Sequence, residues 1–277
     1  MSLDDIVFVN RNKNKAVGEA LDIVNSVSQN SSISITPTDN FEHIAGSEVI
    51  VVAVSAGKIT TDRADLLPYN IPIVKEISKK IKKYASDAKI VVITNPVDVI
   101  TYCILKEGGF PREHVIGIGS SLDSSRFRYL LAEMLQTNQS NIESMVLGEH
   151  GNSMVPIFST AKFCGKLINV DEKQMAETST KVRNYWKPLT EFKGASVFGV
   201  TKHSYDVIKA IIKNEKLSVP SSVLVNGEYG LSDVCMGVPV LIDKKGASKI
   251  EEIDLNKSES ASLNTSAEII KNNIKKI

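Results

Sequence analysis

Cysteine is scarce in this 277-residue chain: Cys103, Cys164 and Cys235 are odd in number and far apart. Such a set excludes a disulfide framework and a thiolate zinc site, and suits free thiols in a reducing, cytoplasmic compartment. No apolar run approaches the roughly 20 residues that a membrane span needs. Met1-Ser2-Leu3-Asp4-Asp5 lacks the basic segment of a secretory signal. A formal net charge of +1 leaves no electrostatic footprint for nucleic acid or an anionic membrane, so neither is expected as a partner. Internal repeats, low-complexity tracts and long linkers are also missing. What is present is the composition of an ordinary globule, 42% hydrophobic and 23% charged, at a length that suits two lobes sharing a core.

Short apolar runs alternate with helical patterns through the first part of the chain. Ile6-Val7-Phe8-Val9 is a strand that ends in the polar turn Asn10-Arg11-Asn12-Lys13. Ser32-Ile33-Ser34-Ile35-Thr36 alternates as a second strand, closed by Pro37. Val49-Ile50-Val51-Val52-Ala53-Val54 is apolar throughout, as a parallel strand covered on both faces should be, and runs into Ser55-Ala56-Gly57. The spacing of Leu66, Ile73, Val74, Ile77 and Ile81 predicts an amphipathic helix whose regular part begins near Pro72. Ile90-Val91-Val92-Ile93, a helix over 99–107 and Val115-Ile116-Gly117-Ile118 complete the pattern. This is the signature of a doubly wound, mostly parallel α/β sheet, which binds ligands beyond the carboxyl ends of its strands. The texture changes near residue 120. A helix over 123–135, a strand at Met145-Val146-Leu147 and further helices and a hairpin predict a second, α+β unit over 120–277, after a first over 1–119.

Four stretches carry chemistry. Gly148-Glu149-His150-Gly151-Asn152 reads as an exposed turn, with an imidazole that can exchange a proton near neutral pH. A lone histidine there more often serves a structural role that satisfies a backbone group. Asp123 and Arg126 lie three apart on one helical face, which alone predicts no more than a solvated ion pair. Asn95 precedes a proline, and Arg63 sits in the loop after Ala56-Gly57.

Thr94-Asn95-Pro96-Val97-Asp98, Leu122-Asp123-Ser124-Ser125-Arg126-Phe127-Arg128 and Gly148-Glu149-His150-Gly151-Asn152-Ser153-Met154-Val155-Pro156, in this order, resemble the L-lactate/malate dehydrogenase family over nearly the whole chain. Their texture is closest to the archaeal-type malate dehydrogenases. The resemblance implies a Rossmann-like dinucleotide-binding domain followed by a substrate domain, a nicotinamide cofactor (NAD or NADP), a small 2-oxo or 2-hydroxy acid as substrate, and a homodimer or homotetramer. It further implies His150 as general acid and base with Asp123 holding its other ring nitrogen. Arg126 would bind the substrate carboxylate through a planar fork, and Arg63 would polarise the developing alkoxide. Asn95 would bridge substrate and cofactor, and Asn10, Arg11, Ala56, Gly57, Asn70 and Ile93 would line the cofactor. Ser196 falls where the family places a small pocket residue, although a helix-cap serine fits it equally well.

Three departures stand against that background. No G-x-G-x-x-G turn opens the chain, so the sheet is expected to be truncated at its N-terminal end, with an open apolar edge on the neighbouring strands. An internal start methionine of a longer protein and a decayed, non-catalytic paralogue acting as a binding or subunit partner both account for this; the intact downstream residues favour the first. The family's acidic ribose position is occupied by Asn10, followed by Arg11, which either admits a 2′-phosphate or is a solvated turn. Between Gly57 and Arg63 the loop is short, and in place of the arginine typical of malate-specific members it offers only the point charge of Lys58. Malate/oxaloacetate is the expected pair, with lactate/pyruvate as the alternative.

Overall fold

The structure is a computed structural model that describes residues 5–27, 32–57 and 63–277; Lys58 lies outside them. β1 (Asp5–Val9), α1 (Lys13–Val27) and β2 (Ser34–Thr38) form a first unit. β3 (Val49–Val52), α2 (Leu67–Tyr84), β4 (Lys89–Val92), α3 (Val97–Gly108) and β5 (Val115–Gly117) continue the alternation. α4 (Ser120–Met134) opens the second half and is followed by β6 (Ile142–Leu147), β7 (Val155–Phe163) and β8 (Lys166–Leu167). Then come α5 (Glu172–Asn184), α6 (Trp186–Lys193), α7 (Phe198–Lys213), β9 (Leu217–Asn226), β10 (Ser232–Asp243), β11 (Gly246–Ile250) and α8 (Lys257–Ile274).

β3, β4 and β5 are parallel, with β4 in the middle. Ile90, Val91 and Val92 are fully buried, which is why this strand reads as an unbroken apolar run. β1 pairs in parallel with β2, and Phe8 lies opposite Pro37. Pro37 therefore sits inside β2 and does not close it; in a two-stranded sheet its missing N–H can face away from the ladder. Among the described residues β1 and β3 have no common hydrogen-bonded partner, and Val51 on β3 is 41% exposed. This is the open apolar edge expected of a sheet without the glycine-turn strand.

The first sheet does not stop at the midpoint of the chain. Its strand order is β11-β10-β9-β5-β4-β3, and Gly117 of β5 pairs antiparallel with Ser222 of β9. Residues 118 and 119 separate β5 from α4, yet the antiparallel strands of the second half extend the parallel strands of the first. One core accordingly joins Val92 and Ile116 to Met236, Val238 and Ala267. A smaller core of Phe127, Leu131, Val146 and Met154 fills the space between α4 and the β6-β7-β8 sheet.

One further expectation is corrected. α2 is regular from Leu67, not from near Pro72. Pro68 lies in the first turn, where a backbone N–H has no helical partner, and burial of Leu67, Ile71 and Val74 offsets the bond lost at Pro72. The stretch after the histidine, given no element from the sequence alone, is a nine-residue strand, β7. Its Pro156 stands near the strand start, opposite Val146, and masks the apolar signal of Val155 and Ile157. α8 is fixed across this strand by Glu259, whose carboxylate accepts from the Phe158 and Ser159 amides, each at 3.0 Å, while also capping its own helix.

Candidate active site

β6 ends at Gly148, whose φ of +84° and contact with α8 both require glycine: a Cβ there would stand 2.7 Å from Ser266 Oγ. The following residues are then bonded one by one to their surroundings. The Glu149 amide donates to Ser266 Oγ at 2.8 Å, and the His150 amide to Asp98 Oδ2 at 2.8 Å. The Glu149 carboxylate accepts from the Ser153 amide and hydroxyl. His150 is only 7% exposed, so the expected exposed turn is a buried one. The Arg63 guanidinium reaches its carbonyl and Ser266 of α8 the neighbouring Glu149 amide, and neither segment is close in sequence.

His150 Nδ1 lies 2.5 Å from Asp123 Oδ2, and Arg126 Nη1 lies 3.1 Å from Asp123 Oδ1. Asp123 is fully buried and Arg126 is 5% exposed. The solvated i,i+3 pair is thereby replaced by a buried acid shared between an imidazole and a guanidinium. Arg126 also stands over the Tyr185 ring, 5.5 Å from its centroid. Arg63 Nη1 donates to the His150 carbonyl at 2.6 Å. The field of this cluster sets the protonation states. Burial pushes the Asp123 carboxyl up, but His150, Arg126 and Arg63 outweigh it and hold Asp123 below its ordinary value. Burial and the Arg63 guanidinium hold His150 below 6.5, against the opposing pull of Asp123. A neutral ring beside an anionic acid is the resting state at neutral pH.

The other predicted residues fall into two groups. The Asn95 side-chain oxygen is buried without a protein partner, and the peptide to Pro96 is cis. Asn70 is a brace: its Oδ1 accepts from the Ala56 amide at 3.0 Å and its Nδ2 donates to the Asn95 carbonyl at 2.8 Å. Its side chain thus holds the loops after β3 and β4 together and is 2% exposed. Ile93 is half-buried, and Gly57, at φ +73°, has open space around it. Asn10 and Arg11 are exposed after β1, and Asn10 Oδ1 accepts from the Asn12 amide. Ser196 is half-buried just before α7; the cap residue there is Val197, with no side-chain cap bond, so the helix-cap reading of Ser196 fails. Ser196 is also absent from the walls of the cavity beside His150.

That cavity, of about 450 Å³, is bounded by Arg63, His150, Asn152, Arg183, Trp186 and Asn273, among others. Four participants carried no signal that sequence reasoning assigned to a site. Asp98 accepts from the His150 amide and from Ser222 Oγ at 2.6 Å, and burial pushes its carboxyl up to about 7. Its sequence cues are its place at the end of Thr94-Asn95-Pro96-Val97-Asp98, where no role is assigned to it, and an acid among apolar residues in the first turn of α3. Ser222, Ser266 and Arg183 are brought in from distant elements. For a nicotinamide cofactor, the orphaned Asn95 oxygen and the open backbone at Gly57 are fitting partners at the carboxyl ends of β3 and β4. A glycine-rich turn for the diphosphate does not occur in this sequence.

Comparison with known proteins agrees with this geometry. Residues 1–117 match the model of the lactate/malate dehydrogenase NAD-binding domain, and residues 120–277 that of the lactate/malate dehydrogenase α/β C-terminal domain. Malate dehydrogenase from Staphylococcus saprophyticus is 34% identical over 276 residues, spanning 97% of this chain and 88% of that protein. L-lactate dehydrogenase from Halalkalibacterium halodurans is 34% identical over 272 residues, spanning 97% and 87%. The structure of Archaeoglobus fulgidus malate dehydrogenase in complex with NADH superposes with a TM-score of 0.90 at 33% identity, covering 100% of this chain and 92% of that one. A buried His–Asp–Arg cluster at the junction of two halves, each matched by its own family model, makes this chain a member of the lactate/malate dehydrogenase family.

Proposed function

We propose that this chain interconverts a small 2-hydroxy acid and its 2-oxo acid, with (S)-malate and oxaloacetate preferred over L-lactate and pyruvate. The observation that carries the reading is the buried His150–Asp123–Arg126 cluster with Arg63 bonded to the His150 carbonyl. A bound nicotinamide cofactor supplies or accepts the hydride at the substrate carbon. His150 Nε2 removes the hydroxyl proton in oxidation and returns it in reduction. Asp123 accepts from Nδ1–H, fixing the tautomer, and its charge favours the imidazolium as it forms without itself taking the proton. Arg126 uses the guanidinium N–H groups not spent on Asp123 to hold the substrate carboxylate, which aims the reacting carbon. Arg63 leaves the His150 carbonyl to stabilise charge on the reacting oxygen. Asn95 bridges substrate and cofactor, and Asn10, Arg11, Ala56, Gly57 and Ile93 border the cofactor. Asn70 acts through the Ala56 and Asn95 backbones.

Oxidation of NADH and NADPH with oxaloacetate and pyruvate tests the reading in one experiment. Turnover with oxaloacetate above pyruvate is expected. Absence of turnover with either acid would favour the non-catalytic paralogue, and a hundredfold tighter binding of NADH than NADPH would rule out a 2′-phosphate role for exposed Arg11. In the oxidation direction, kcat/KM should be flat above neutrality and fall on acidification with an inflection below 6.5, because burial and Arg63 disfavour the protonated ring. An inflection above 7 would contradict the assigned base.

A cytoplasmic homodimer or homotetramer belongs to the same proposal. Phe192 and Phe198, on α6 and α7, are 80% and 78% exposed, and side chains of that size favour a covered interface. Light scattering that gives a monomer at micromolar concentration would remove it.

A further inference from the structure

We propose that Arg183 binds the second carboxylate of a dicarboxylic substrate and so selects a four-carbon diacid over a monocarboxylate. The inference deepens the dehydrogenase reading and rests on it. Arg183 lies in the last turn of α5 and bounds the same cavity as Arg63 and His150. A guanidinium offers five donors in a planar fork. Of these, one makes a long bond of 3.4 Å, from Nη2 to the Met154 carbonyl, and Nε is buried without a partner. No acid pairs with Arg183 among the described residues.

The other charged groups of the cavity are engaged elsewhere. Arg63 is bonded to the His150 carbonyl. Glu149 is taken by Ser153, and Asp98 by the His150 amide and Ser222. Lys276 donates to Asn273 Oδ1 at 2.7 Å, and Asp65 is exposed at the rim. Arg183 is thus the cation whose donors are least used, in a wall that also presents the Trp186 ring and Ile270. An anion there gains from the low dielectric and from the bidentate match of guanidinium to carboxylate. A monocarboxylic substrate would leave those donors unpaired, whereas a diacid offers them a second carboxylate.

Steady-state kinetics of Arg183→Gln, Arg183→Lys and Lys58→Ala with oxaloacetate and pyruvate form the test. Arg183→Gln is expected to raise KM for oxaloacetate about 10- to 100-fold, the loss of a charge-assisted pair, with pyruvate kcat/KM unchanged within about twofold. Arg183→Lys should restore part of the oxaloacetate KM, since it keeps the charge and loses the fork. An equal fall with both acids would mean a structural role and overturn the proposal. Selective loss in Lys58→Ala with none in Arg183→Gln would assign the second carboxylate to the 58–62 loop, and would also overturn it. Calorimetric binding of (S)-malate and L-lactate to the wild type and Arg183→Gln applies even without turnover: equal malate affinity in both proteins refutes the Arg183 role. Absence of turnover with every acid and cofactor refutes the dehydrogenase reading by itself.

Discussion

Replacing His150 by glutamine is expected to lower kcat in both directions by about 10²- to 10⁴-fold. Glutamine can donate an amide N–H to Asp123, so the buried carboxylate keeps a partner and the fold is not charged with an unpaired anion. It cannot take or return a proton at the operating pH. Affinity for NADH should therefore be unchanged, measured by fluorescence titration, while single-turnover reduction of oxaloacetate collapses. The acid limb of the oxidation profile should also vanish with the ring. A loss of less than tenfold would mean that His150 only satisfies a backbone group, the plain alternative for a buried imidazole. The buried bond of His150 Nδ1 to the Asp123 carboxylate, which Arg126 also holds, argues against that alternative, because an imidazole that only satisfies a backbone group has no need of a carboxylate.

Asp98 should have the largest effect on stability. Its carboxyl is raised from 3.8 to about 7, first by burial, with the bonds from Ser222 and the His150 amide opposing. A folded-state value above the unfolded one means that the folded chain holds a proton the unfolded chain releases. The associated stability is complete below pH 3.8 and is lost as pH rises through about 7, on the order of 4 kcal/mol across that window. Asp98→Asn mimics the protonated acid: its oxygen accepts from the His150 amide and its N–H₂ can donate to the Ser222 hydroxyl. Denaturant titrations should show the wild type losing stability relative to Asp98→Asn between about pH 4 and about pH 7. Parallel pH dependences would show that Asp98 stays ionised. Asp98→Ala strands the His150 N–H and the Ser222 hydroxyl, each at about 1–3 kcal/mol, and this loss, measured against Asp98→Asn, should be the same at every pH. Because the first of those donors belongs to His150 itself, kcat should fall with it. A variant that loses stability but keeps kcat would separate the α3 anchor from the chemistry.

The legible parts of this protein are those whose signal is local. β3, β4 and β5 announce themselves because a parallel strand covered on both faces must be apolar at every position. The missing glycine turn could be read directly, and with it the open edge at Val51. Asp123, Arg126, His150, Asn95 and Arg63 could be picked out because chemistry demands those residue types, and their order along the chain resembles one family. Local signal failed where distant segments decide. β7 has no counterpart among the elements read from the sequence, and Pro156 is the residue there that lowers strand propensity whether or not its N–H is needed by a neighbour. α2 was read as starting late for the same reason at Pro72, where packing of Leu67 and Ile71 outweighs the lost bond.

Sequence by itself determined the fold class, through the periodicity of its strands and helices, and the family, through residue types in several stretches whose order resembles it. Tertiary structure alone decided that the two halves share a sheet through β5 and β9 and that His150 is buried. It also decided that Asp98 and Ser222, 124 positions apart, meet beneath the histidine, and that Arg183 faces its cavity with donors to spare. Burial and pairing are properties of what lies across a gap in space, and the energies that set protonation and charge recognition follow from them.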